Sequence, residues 1–301
     1  MIRFIRSLLA LLILAAALPA NAALKVLATT TDWGALATEL GGEQVNVYVA
    51  TSALQDVHRV EAKPSLVARA RTADLVIASG AELEIGWLPV LIQESGNSRI
   101  QPGAPGYFEA TSVLTLQEKP EHFDRSLGDI HPQGNPHVQL DPHNIATIAK
   151  ALAQRLTQLD GSHAEYYAQR AKDFDTRWQA ATKRWESTGA ALKGRPIVVM
   201  HRDQTYLCNW LGMQLVAAIE PKPGMPPTAG YLGQLVTKLK GSPPRAILVN
   251  AYNDPKAAKW LSERVGAPVI VLPFSVGGTP EAKDLFGLFD DTLTRLLAVL
   301  K

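Results

Sequence analysis

The stretch Gly194-Arg195-Pro196-Ile197-Val198-Val199-Met200-His201 decides the fold. Four apolar residues in a row, set between Gly194 and Pro196 on one side and polar residues on the other, are too few for a helix and read as a buried strand. Working outward, the pattern predicts a helix near 204–211, a strand at 215–219 and a helix at 229–240. A strand at 246–249, a helix at 255–265, a strand at 269–272 and a last helix through Leu297 follow. Strands alternating with helices predict a parallel sheet covered by helices. The N-terminal half carries the same rhythm. Strand 24–28 is broken by Thr29-Thr30-Thr31, a helix bears Leu36 and Leu40, and strand 45–49 is followed by helix 65–72, strand 74–78 and helix 84–93. Between the halves, 144–159 and 163–192 read as helices separated by Asp160-Gly161-Ser162, a helix stop followed by a fresh N-cap. The second would run roughly 45 Å at about 1.5 Å per residue, enough to cross both halves. Its aromatic positions Tyr167, Phe174, Trp178 and Trp185 fit core packing. The expected fold class is α/β: two βα lobes with parallel sheets joined by a long linking α-helix. The expected divisions are a leader at 1–22, an N-terminal lobe at 23–160, the linking helix at 161–193 and a C-terminal lobe at 194–301.

The leader sets the compartment. Arg3 and Arg6 precede an apolar run at 8–18 that is too short to span a bilayer, and Ala20-Asn21-Ala22 forms an A-x-A cleavage site. A cleaved signal peptide predicts a periplasmic protein, and the lack of a cysteine after the cleavage site predicts one without a lipid anchor. Removing 22 of the 301 residues takes away two arginines and leaves 28 basic against 28 acidic residues. That balance excludes an electrostatic case for nucleic acid or an anionic membrane. Cys208 is the only cysteine, so no intrachain disulfide can form, and its apolar surroundings predict a core thiol.

Seven histidines remain to be read, at 58, 122, 131, 137, 143, 163 and 201. Three have informative positions. His58 lies in the loop after strand 45–49 and His201 directly follows strand 197–200, so both belong to the carboxyl ends of parallel strands, where open α/β sheets bind ligands. His137 sits in the rigid turn Gly134-Asn135-Pro136-His137. Three neutral imidazoles converging between two lobes would hold a borderline divalent cation such as Zn2+.

The residues around them carry a resemblance. Asp56-Val57-His58-Arg59-Val60-Glu61-Ala62-Lys63-Pro64-Ser65 and Asn135-Pro136-His137-Val138-Gln139-Leu140-Asp141-Pro142 are the first two segments. Val198-Val199-Met200-His201-Arg202-Asp203 with Tyr206 is the third, followed by Glu220-Pro221-Lys222-Pro223. In order and spacing these resemble the motifs of the zinc and manganese solute-binding proteins of ABC importers, over essentially the whole mature chain. The resemblance implies His58, His137 and His201 as metal ligands, zinc or, less favoured, manganese as cargo, and the membrane permease of an ABC importer as partner. A metallochaperone is an additional candidate partner, and the expected state is a monomer.

Two positions depart from the family pattern. Asn250 stands where many relatives have a glutamate, and Leu272-Pro273-Phe274-Ser275-Val276-Gly277-Gly278 lacks their aspartate. The fourth ligand is left open among water, Asp284 and Glu61, and the missing acids favour zinc over manganese. The long histidine-rich loop of some relatives is reduced to His122 and His131, read either as loose metal recruiters or as part of a solvated loop. Other motifs have plain readings: Asp141 as a helix cap with His143 in the first turn, Gly277-Gly278 as a turn, Glu82 and Glu84 as a solvated helix start. A non-enzymatic zinc carrier is the leading class. A three-histidine zinc hydrolase or hydratase and an adhesin-like envelope protein are the alternatives; neither an HExxH nor a Gly-x-Ser-x-Gly motif supports catalysis.

Overall fold

The computed structural model describes residues 22–122, 128 and 130–301. The predicted leader, apart from Ala22, lies outside the described residues. In the N-terminal half, β1 (Leu24–Ala28), α1 (Thr31–Gly41), β2 (Val45–Val49), α2 (Pro64–Thr72), β3 (Leu75–Ala78), α3 (Leu88–Ser95) and β4 (Tyr107–Glu109) form a parallel sheet of order β2-β1-β3-β4 with its helices. Two helices follow, α4 (Pro142–Leu159) and α5 (Ala164–Gly189). Then come β5 (Pro196–Val199), α6 (Thr205–Trp210), β6 (Gln214–Ala218), α7 (Ala229–Lys240), β7 (Ala246–Asn250), α8 (Lys256–Val265), β8 (Val269–Leu272) and α9 (Leu285–Leu300). The second sheet has order β6-β5-β7-β8, also parallel. The two-lobed α/β expectation is therefore met.

Two elements differ from the sequence pattern. The helix expected at 84–93 begins only at Leu88, because 80–87 is spent on turns whose backbone serves another purpose, described below. Strand β4 went unforeseen because its three residues, Tyr107-Phe108-Glu109, are too few to show an alternation.

Burial follows from the period-2 geometry of the strands. Val26, Ala28, Leu75 and Ile77 point to an inner core, whereas Leu27, Val76 and Ala78 point to an outer one against α2 and α3. In the second sheet Ile197, Val199 and Leu248 face inward, and Val198, Ile247 and Val249 face α7 and α8. The inner core is one continuous cluster shared by both sheets, α1, α4, α5 and α9. Along α5, Phe174, Trp178 and Trp185 lie at helical spacing. Ring centroids of Trp178 are 5.1 Å from Phe174, 5.1 Å from Trp185 and 4.9 Å from Phe286 of α9. The Trp178 indole donates to the Pro142 carbonyl at 2.8 Å, so the same residue holds α4 to the long helix.

In each sheet the first strand lies between the second and the third, so the chain direction switches at β1/β3 and at β5/β7. Ligands in such sheets bind outside the carboxyl ends at that switch. Both sets of carboxyl ends face one cleft, lined from one lobe by Thr30, Asp56 and Ser79 and from the other by Tyr252, Phe274 and Ser275.

Candidate metal site

His58 follows β2 in a loop pinned by the Trp87 indole, which donates to the Val57 carbonyl at 2.9 Å. Asp56 Oδ1 accepts from the His58 backbone N–H at 3.0 Å and faces its Nδ1 at 2.9 Å, so Nε2 is the nitrogen left to point into the cleft. Burial would raise the Asp56 carboxyl, but the hydrogen bonds and charge of His58 outweigh it and hold it below the usual range. His201 ends β5 in the same way. Its Nδ1 lies 2.7 Å from Glu220 Oε2, which also accepts from the Gly224 N–H at 2.9 Å. Burial alone would lower this imidazole; the Glu220 hydrogen bond and the charges of Asp203, Glu220 and Asp56 override it and push it up to about 9. Carboxylates on Nδ1 are the usual outer partners of metal-binding imidazoles, because they fix ring orientation and increase basicity.

His137 is held through its backbone: Asn135 Oδ1 accepts its N–H at 3.0 Å, and the Tyr206 hydroxyl donates to the Asn135 carbonyl at 2.8 Å. The side chain is only 3% exposed, and neither ring nitrogen has a hydrogen-bond partner among the described residues. Burial, then the charges of His58, His201 and His131, keeps it neutral, well below the ordinary imidazole range. The three rings predicted from sequence do converge. Centroids are 5.5 Å apart for His58 and His137, 5.6 Å for His137 and His201, and 6.2 Å for His58 and His201.

A fourth ring joins them. His131 lies 5.4 Å from the His58 ring and 6.1 Å from the His137 ring, and one candidate ligand atom from each of these three residues falls within 4.8 Å of the others. Burial, then the charges of His58 and His201, lowers its pKa to about 3. Nothing in the sequence marked it beyond its being one of two histidines in its loop. His122, the other, is exposed. His143 is bound to Asp141 and Glu186, and His163 to Asp160, as structural partners on the surface.

The acidic residues fall differently from expectation. Asp284 caps α9, accepting from the Gly287 N–H at 2.7 Å, and Glu61 is exposed. Asn250 is buried in a network behind His201: its amide donates to Asp203, its oxygen accepts from Gln204, and the Tyr252 hydroxyl reaches Asp203 Oδ2 at 2.9 Å. Glu84 corrects the reading of a solvated helix start. It is buried, accepting from the backbone N–H groups of Ser79 and Gly80 at 2.8 and 3.2 Å and from the Thr29 hydroxyl at 2.6 Å. This carboxylate stabilises three consecutive left-handed residues, Gly80, Ala81 and Glu82 (φ 85°, 49° and 65°), a conformation unfavourable for the latter two. It comes from the loop after β3, on the wall of the cleft. The acid was visible in sequence, but only the folded loop supplies the donors that bury it.

The high-affinity zinc uptake system protein ZnuA of Brucella abortus is 27% identical over 136 residues, which cover 45% of this chain and 41% of that protein. The manganese ABC transporter substrate-binding lipoprotein PsaA of Streptococcus anginosus is 23% identical over 269 residues, 87% of this chain and 83% of its own. A crystal structure of ZnuA shares the fold at a TM-score of 0.76 and 18% identity, covering 93% of this chain and all of that one. Zinc and manganese proteins both stand among these relatives, so the choice of metal rests on the side chains themselves. A family model described as the zinc-uptake complex component A, periplasmic, matches residues 26–299. Its members are substrate-binding proteins of ABC importers and not enzymes, which sets aside the zinc-hydrolase alternative. Nearly the whole described chain is spanned by that match, and the protein belongs to the ZnuA family of metal-binding substrate-binding proteins.

Proposed function

We propose that this protein captures Zn2+ in the periplasm with His58, His137 and His201 and delivers it to the membrane permease of an ABC importer. The observation that carries the reading is His137: a buried imidazole with both nitrogens unpartnered among the described residues, ringed by two imidazoles whose Nδ1 atoms face carboxylates. Leaving such a donor and acceptor unsatisfied costs roughly 1–3 kcal/mol each, a cost that a coordinated cation removes at one of them. Zinc is favoured over manganese because imidazole donors suit zinc, whereas manganese prefers oxygen ligands, and Asn250 spends its carbonyl on Gln204. The single cysteine, Cys208, is buried with its thiol pushed up to about 12 by burial, which leaves the ion to the imidazoles. A monomer handing its ion to the permease, with a metallochaperone as a candidate supplier, completes the reading.

Elemental analysis of purified protein should find about one zinc per chain. His58→Ala, His137→Ala and His201→Ala should each weaken zinc binding by about tenfold or more in titration calorimetry, with the circular dichroism spectrum unchanged. Unchanged affinity in one variant removes that residue from the site. Manganese displacing zinc at comparable concentration would overturn the metal assignment.

A further inference from the structure

We infer that His131 is a fourth protein ligand, so that the cation is held by imidazole where the sequence left water or a carboxylate. The inference rests on the zinc-capture reading above and deepens it. At a Zn–N distance of about 2.0–2.1 Å, two ligand nitrogens of a tetrahedral site lie about 3.3–3.4 Å apart. The Nε2 atoms of His131 and His58 are 3.3 Å apart. Because Asp56 faces Nδ1 of His58, the neutral His58 ring carries its proton there and turns an Nε2 lone pair toward His131, as a metal ligand does. His137 completes a triangle with these two, all three candidate donor atoms lying within 4.8 Å of one another. His201 borders His137 and His58 at 5.6 and 6.2 Å between centroids.

His131 is placed with the care given to the other three. Its ring lies beside the Ala81 backbone, in the left-handed turn that Glu84 stabilises. Its own carbonyl accepts from the Gly134 N–H at 3.1 Å, in the turn that leads to His137. Upstream, Gly128 (φ 91°) runs so close to the Pro223 carbonyl that a Cβ there would meet it at 2.2 Å, so this loop touches the C-terminal lobe three residues after Glu220. Of the protein groups weighed for the fourth position, Asp284 is spent on the cap of α9 and Glu61 is exposed, and Asn250, where relatives carry an acid, is spent on Asp203 and Gln204. Four neutral imidazoles would leave the ion its full charge and deepen the preference for zinc over manganese.

The test is zinc K-edge absorption spectroscopy on the zinc-loaded full protein, where multiple scattering counts imidazoles, together with calorimetry on His131→Ala and His131→Gln. The expected result is four imidazoles in the wild type, three in both variants, and zinc affinity lowered about tenfold or more at unchanged stoichiometry. His122→Ala, in the same loop, should leave both readouts untouched. Three imidazoles in the wild type, with affinity unmoved by the His131 variants, overturns the fourth ligand while leaving the three-histidine site intact. A wild-type protein that binds no zinc fails the underlying reading instead. If His131→Ala loses its circular dichroism signature, the glutamine variant and the wild-type imidazole count decide.

Discussion

His201 differs from the histidines around it in how it is charged. Glu220 and Asp203 hold a proton on it up to about pH 9 in the metal-free protein, while burial keeps His137 and His131 neutral far below that. A cation must therefore displace one proton from His201 anywhere below pH 9, whereas His137 and His131 contribute none near neutrality. Zinc affinity should rise about tenfold per pH unit, or more steeply, from pH 5.5 to 7.5 and flatten above about pH 9. Calorimetry in buffers of different ionisation heat counts the expelled protons, and a count of zero at pH 7.5 would contradict a charged His201. The convergence of His58, His137 and His201 on one cleft was legible because each sits where a strand end or a proline turn aims it. The His131 position was not, since a loop residue's direction depends on what the loop rests against.

At the scale of elements, α5 connects the two halves through its aromatic face. Trp178 touches Phe174 and Trp185 on its own helix and Phe286 and Phe289 on α9, and its indole closes on the first turn of α4. Truncating a fully buried indole removes both the packing and the donor to Pro142. Trp178→Ala should cost roughly 3–5 kcal/mol of stability in urea unfolding while leaving zinc affinity of the folded protein unchanged. A loss below about 1 kcal/mol would mean that α5 is a covering helix and not the staple. The stripe at 167, 174, 178 and 185 identified the buried face from spacing alone. Its partner α9 could not be named, because periodicity marks a face without saying what covers it.

For the whole molecule, the decisive feature is a single core running through both sheets, α1, α4, α5 and α9. Asp32, in the first turn of α1, adds a buried link across the cleft by accepting from the Val276 N–H at 2.9 Å. Lobes that share a core cannot swing apart without exposing it, so zinc should alter loops and leave lobe positions nearly unchanged. Small-angle scattering should give a radius of gyration near 19 Å, roughly the value for a compact chain of this length, with and without zinc. An expansion of several ångström on metal removal would show a hinge. The sequence by itself determined the βα alternation, the long helix and the placing of three histidines at strand ends and a proline turn, because these are local: strand and helix periods, proline turns and strand ends are written in consecutive residues. Tertiary structure alone decided that Glu84 is buried, that Asn250 turns away toward Asp203, that Asp284 caps a helix, and that His131 reaches His58 across 73 positions of chain. Each of these depends on which distant backbone donors, carboxylates and rings a side chain meets, and that is set by packing.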